Sequence, residues 1–156
     1  MKIIGFLIKK ILVDVKEGKR DNLDVKSNLN LDDVKEGKVA LTKQPSILIN
    51  FNFFVDYSPD IARIEIKGHL ILLDDENKKE EIMTLWKQRQ LPEEIKLPIL
   101  NYILEKCNVK ALQFEEELGL PLHLPLPKIS QQKLKTQPQK EEKSDSKSKK
   151  STSYTG

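Results

Sequence analysis

The chain has 156 residues, a formal charge of +3 and a pI near 8.8. That length supports one ordinary domain with its own core. The single cysteine, Cys107, excludes an internal disulfide and suits a reducing compartment. The charge is unevenly placed: Ser130 to Gly156 holds seven lysines against three acidic residues, which gives that segment +4 and leaves the remainder at −1. A near-neutral body argues against a nucleic-acid-binding domain. The basic segment could lie on phosphates, but Tyr154 is its only aromatic residue for stacking bases.

Met1 to Leu12 is apolar but short, and Lys9 and Lys10 interrupt it. It suits neither a membrane span nor a signal peptide, and with no other long apolar run the protein is expected to be cytoplasmic. Ile3 to Val15 reads as a first strand. Leu7, Ile11, Val13 and Val15 share one parity, and Ile4, Phe6, Ile8 and Leu12 the other. Such a strand is either covered on both sides or lies at an interface. Leu23 to Leu31 alternates, with Leu23, Val25, Leu29 and Leu31 on one face. Val34 breaks that parity, which predicts a bulge near Asp32 and Asp33. The string Asp-Val-Lys-Glu-Gly-Lys occurs at Asp14–Lys19 and at Asp33–Lys38, and reads as repeated strand-end chemistry.

Ile47 to Tyr57 is the clearest strand, and Ser58-Pro59-Asp60 turns it back into Ile61 to Leu73 as an antiparallel hairpin. The period then changes. Lys78 to Gln90 predicts a helix with Ile82, Leu85, Trp86 and Arg89 on one face. Trp86 is either a helix-to-sheet core contact or an exposed anchor in a groove. Glu93 to Cys107 has helical spacing, with the main helix expected to begin at Leu97 or Pro98, where proline fits the first turn, and Asn108 as C-cap. A short helix or turn follows over Ala111 to Leu118, stopped by Gly119. Leu120 to Pro127 alternates leucines with three prolines and predicts an extended strap, its leucines pinned to an apolar surface. From Ser130 the composition predicts disorder. The domains are therefore 1–129, folded, and 130–156, a Lys/Ser-rich tail.

Chemistry is sparse. The six glycines are scattered, with no phosphate loop, and no Cys/His cluster has zinc spacing. Asp32-Asp33, Asp74-Asp75 and Glu115-Glu116-Glu117 read as solvated carboxylates. His69 reads as a surface group, and His123 as a hydrogen-bonded structural histidine in the strap. No catalytic residue, metal or cofactor is expected.

The order of elements resembles the SecB-like chaperones. Gly5-Phe6-Leu7-Ile8-Lys9-Lys10-Ile11 is similar to that family's opening strand, Val25 to Leu31 to its second, and Ile47–Val55 with Ile64–Leu73 to its central hairpin. Leu97-Pro98-Ile99-Leu100-Asn101-Tyr102-Ile103 resembles its proline-led helix, and Leu118 to Ile129 the proline-rich stretch after it. The basic C-terminus departs from the family. Asp56-Tyr57-x-Pro59-x-Ile61-Ala62 and Cys107-Asn108-x-Lys110-Ala111-Leu112 are also similar to an archaeal protein group of the same layout.

The resemblance implies an α+β fold, a four-stranded antiparallel sheet with two helices packed on one face. It implies a homo-oligomer, dimer or tetramer, that binds unfolded or nascent polypeptide in apolar grooves without ATP, for export, toxin control or holding. Phe6, Ile8, Phe54, Trp86, Leu122 and Leu124 are the candidate lining residues. The competing expectation is a ribosome- or RNA-associated accessory protein acting through the tail.

Overall fold

The structure, a computed structural model, describes residues 1–38 and 45–129. Met1–Pro125 form one compact unit and Leu126–Gly156 a second, of which residues 126–129 are described. The tail expected from Ser130 lies outside the described residues.

Four strands precede two helices: β1 (Lys2–Val15), β2 (Asp24–Gly37), β3 (Ser46–Ser58), β4 (Ala62–Leu73), α1 (Glu76–Lys87) and α2 (Glu93–Leu118). The strands form one antiparallel sheet in the order β1-β4-β3-β2. The fold is α+β, a four-stranded antiparallel sheet with two helices, as the sequence predicts. Each copy of the repeated hexapeptide coincides with a strand end, at Val15 and at Gly37.

The core lies on the two central strands. Ile47, Ile49, Phe51, Phe53, Val55 and Tyr57 of β3 are buried, with Ile64, Ile66, Leu70 and Leu72 of β4. This strict alternation selects one face of the sheet. Ile82 of α1 and Ile99, Ile103, Cys107 and Ala111 of α2 cover that face. Each buried aliphatic or aromatic side chain contributes about 1.5–3 kcal/mol. Gly68 keeps the sheet closed where β1 crosses β4: a Cβ there would lie 2.2 Å from the Leu7 carbonyl oxygen and 2.8 Å from the Phe51 ring.

The two apolar parities of β1 have a simple cause. Its pairing with β4 shifts between Ile3 and Gly5 and again between Ile8 and Lys10, so Ile4 and Lys9 are extra residues. Each bulge reverses parity. Phe6 and Ile8 therefore share the helix side with Ile11, Val13 and Val15, opposite Leu70, Gly68, Ile66, Ile64 and Ala62. Leu7 and Leu12 are left on the outer face. The bulge predicted in β2 is present between Leu31 and Asp33, and it returns Val34 to the core.

α1 starts at Asp75, whose carboxylate accepts from the Lys78 N–H at 2.8 Å. α2 differs from expectation. It is one continuous helix of 26 residues, with Pro98 inside it and Asn108 in its middle. Ile99, Ile103, Cys107, Ala111 and Glu115 form a buried stripe at spacings of four, and packing along that stripe carries the helix through. Pro98 lies on the exposed side, where water can reach the carbonyl left without its partner. Gly119 then closes the helix in the left-handed conformation, φ 61°, with Leu120 N–H donating to the Glu115 carbonyl at 2.8 Å.

Candidate functional site

Two features stand out: a groove along one sheet edge and a buried polar network beneath the strap.

The groove has a volume of about 590 Å³. Leu29, Leu31 and Asp32 of β2 form one wall. Trp86 of α1, Arg89 and Leu91 of the helix connection, and Lys96 and Leu100 of α2 form the other. Leu29, Leu31, Trp86, Leu91 and Leu100 are all half-buried, because α2 lies over β3 and β4 and α1 packs against β2. β2 is an outer strand of the sheet. These apolar side chains, interspersed with Asn30, Asp32, Arg89 and Lys96, form a trough beside an edge that has no neighbouring strand among the described residues, an arrangement in which an extended peptide can pair its backbone and bury alternate side chains. The Arg89 guanidinium lies over the Trp86 ring at 4.5 Å. Asp32 is the charged residue of the β2 wall. Further along β2, Lys35 holds the Asp33 carboxyl below its ordinary range, and Lys79 does the same for Glu36.

The network is built on α2. Glu115 is fully buried, and its Oε1 lies 2.7 Å from the Tyr57 hydroxyl and 2.7 Å from His123 Nδ1. His123 Nε2 lies 3.1 Å from Asn108 Oδ1, and the His123 backbone N–H donates to Glu115 Oε2 at 3.3 Å. The Tyr57 hydroxyl is shared with the Pro121 carbonyl oxygen at 2.9 Å. Burial, and then the carboxylate beside it, push the Tyr57 phenol well above its ordinary value, so it remains a donor. Arg20 Nη1 donates to the Leu118 and Gly119 carbonyls at 2.9 and 3.1 Å, fixing the chain just before the strap. Every group here has a partner, and the arrangement positions a backbone segment.

His123 is thus the hydrogen-bonded histidine that the sequence predicts. Glu115 was expected among solvated carboxylates and is instead a buried acceptor. Its signal was present in the sequence, since it continues the every-fourth-residue stripe of α2. Asn108, expected as a C-cap, serves the network. The strap is fixed by His123 and by buried Leu120, while Leu122 is exposed and Leu124 half-buried.

The six candidate lining residues fall in four places. Phe6 and Ile8 lie half-buried on the helix side of β1, at the far edge from the groove. Phe6 stacks on Phe51 at 5.2 Å and meets Tyr102 edge-on at 6.1 Å. Trp86 lines the groove. Leu122 and Leu124 belong to the strap. Phe54 pairs with Asn28 and Glu65 on the opposite face of the sheet, under the Arg63 guanidinium at 4.4 Å. Arg89 was expected on the same face as Trp86; the β2 residues Leu29 to Asp32, with Leu91, Lys96 and Leu100, were not singled out as a site, and only the closure of β2 against the helices brings them together.

Cys107 is buried, which pushes its thiol up to about 12 and makes it a poor nucleophile. Among the described residues no cluster of His, Cys, Asp and Glu could hold a metal ion, and no helix is long and apolar enough to cross a membrane.

No protein-family model matches the chain, and no curated protein does. Among solved structures the chain is similar to a Mycobacterium tuberculosis SecB-like chaperone in complex with a ChAD peptide from the HigA1 antitoxin. The TM-score is 0.49 and the identity 15%, over 83% of this chain and 87% of that one.

Proposed function

We propose that this protein is an ATP-independent chaperone that holds non-native polypeptide in extended form, with the Trp86 groove and the adjoining edge of β2 as its principal site. The observation that carries this reading is the groove itself, a trough that interleaves apolar with polar and charged side chains beside a strand edge that is unpaired among the described residues. The second edge adds to it. β1 spans 14 residues, and Leu7 and Leu12 on its outer face are 50% and 43% exposed. Apolar surface on both outer strands suits a protein that covers them with clients or with further copies of itself. The resemblance of its opening strand and central hairpin to SecB-like chaperones points the same way. On this reading the protein is a cytoplasmic homo-oligomer. Phe6, Ile8, Leu122 and Leu124 extend the apolar surface beyond the groove, and Phe54 offers a patch on the outer face.

Native mass measurement with and without an unfolded polypeptide tests this. A dimer or tetramer that gains client mass without nucleotide supports the proposal. A strict monomer that ignores unfolded chains overturns it.

The +4 segment from Ser130 to Gly156 favours one other reading, an RNA- or ribosome-associated role. Deleting that segment separates the two: RNA binding would be lost, and holding of polypeptide would persist.

A further inference from the structure

We infer that the Trp86 groove prefers extended segments in which an acidic side chain neighbours apolar ones, with Arg89 and Lys96 receiving the carboxylate. This rests on the holding function proposed above and concerns what that site selects. Among the groove-lining residues the charges are divided. Asp32 stands on the β2 wall, and Arg89 and Lys96 stand on the helix wall. Neither cation makes an ion pair among the described residues, whereas Arg63, Lys67 and Lys79 elsewhere on the surface are each engaged with carboxylates. The positive helix wall is therefore complementary to an acidic side chain, and Asp32 opposite disfavours one on the other side.

Arg89 is also placed at a backbone position that suits glycine. The last turn of α1 closes with Arg89 N–H donating to the Trp86 carbonyl at 2.8 Å and Gln90 N–H to the Leu85 carbonyl at 3.0 Å. The residue between these bonds is left-handed, φ 57°. The same closure ends α2, where Gly119 occupies the equivalent position. An arginine there carries backbone strain that glycine would not. Lys87 already supplies a cation to the last turn of α1, so the helix dipole does not require Arg89. What the position achieves is to lay the guanidinium over Trp86 on the wall of the groove. A planar guanidinium held by stacking suits bidentate binding of a carboxylate.

Trp86 is the only tryptophan, so its emission reports this groove. Two tryptophan-free decapeptides with the same leucines and valines, one bearing two glutamates and the other two lysines, should be titrated against the whole protein. The acidic peptide should bind about tenfold tighter at low ionic strength, and the difference should shrink in high salt. Arg89→Gly retains the left-handed backbone and should bring the two affinities together, and Lys96→Gln should narrow the gap while leaving the arginine stack intact. Equal affinities in the wild type, or a preference untouched in both variants, would overturn the inference while leaving the holding function standing. No emission change with either peptide would overturn both.

Discussion

Glu115 Oε1 and His123 Nδ1 lie 2.7 Å apart, with the two side chains 0% and 1% exposed. One residue is on α2 and the other in the strap, so this pair fixes a proline-rich segment to the folded body. Removing one partner leaves the other buried with fewer hydrogen bonds. Glu115→Ala and His123→Ala should each lower unfolding free energy by about 3–5 kcal/mol. Glu115→Gln, which still accepts from Tyr57, should cost less. Urea unfolding measures each, and the double variant should fall well short of the sum, because the residues act as one unit. Additive losses would show that they do not.

The strained closure of α1 gives a second expectation. Arg89→Ala loses the stack on Trp86, worth about 0.5–1 kcal/mol, and keeps the left-handed strain. Arg89→Gly loses the stack but relieves strain of about 1 kcal/mol, so its stability should stay near that of the wild type. The order glycine above alanine in thermal unfolding checks the backbone argument independently of any ligand.

Gly68→Ala should be among the most damaging single changes. The added methyl meets the Leu7 backbone oxygen at 2.2 Å, which no rotamer change can relieve. A loss of about 3 kcal/mol or more is expected, with β1 displaced from β4. Hydrogen exchange should show its amides losing protection first.

Two groups set an acid-side dependence. Burial, and then Lys9, lower the His69 pKa from its ordinary 6.5. The unfolded chain therefore takes up a proton before the native one does, and stability falls as pH drops below 6.5 towards the folded value. His69→Gln should flatten that limb. Lys79 lowers the Glu36 pKa from its ordinary 4.5, so that contribution is present above 4.5 and is lost as pH falls through the depressed value. Lys79→Met should remove it. Unfolding midpoints between pH 3 and 8, roughly the range spanned by the ordinary carboxylate and histidine values, separate the two limbs.

The legible parts of the fold were those written in local period. Alternation in β3 and β4, the hairpin at Ser58-Pro59-Asp60, and the parity break at Val34 all fix their structure within a few residues. β1 misled because two bulges place residues of opposite parity on one face, and a bulge leaves no mark in composition. α2 misled because Pro98 and Asn108 signal ends locally, while the stripe from Ile99 to Glu115 continues past both. That stripe also held the clue to Glu115, a carboxylate where an apolar residue was due. The groove was least legible. Trp86 could be singled out as a possible anchor, but Leu29, Leu31, Lys96 and Leu100 meet it only through tertiary closure. Phe6 and Phe54 both looked available, and the sheet separates them by edge and by face.

The central claim is that the Trp86 groove holds unfolded chains. The most direct test is aggregation of a chemically denatured client, diluted into stoichiometric protein without nucleotide, for the wild type and for a Trp86→Ala variant shown by its unfolding curve to be folded. The wild type should suppress light scattering and the variant should do so several-fold less well. Scattering unchanged by the wild type, or suppressed equally by both, would contradict the claim.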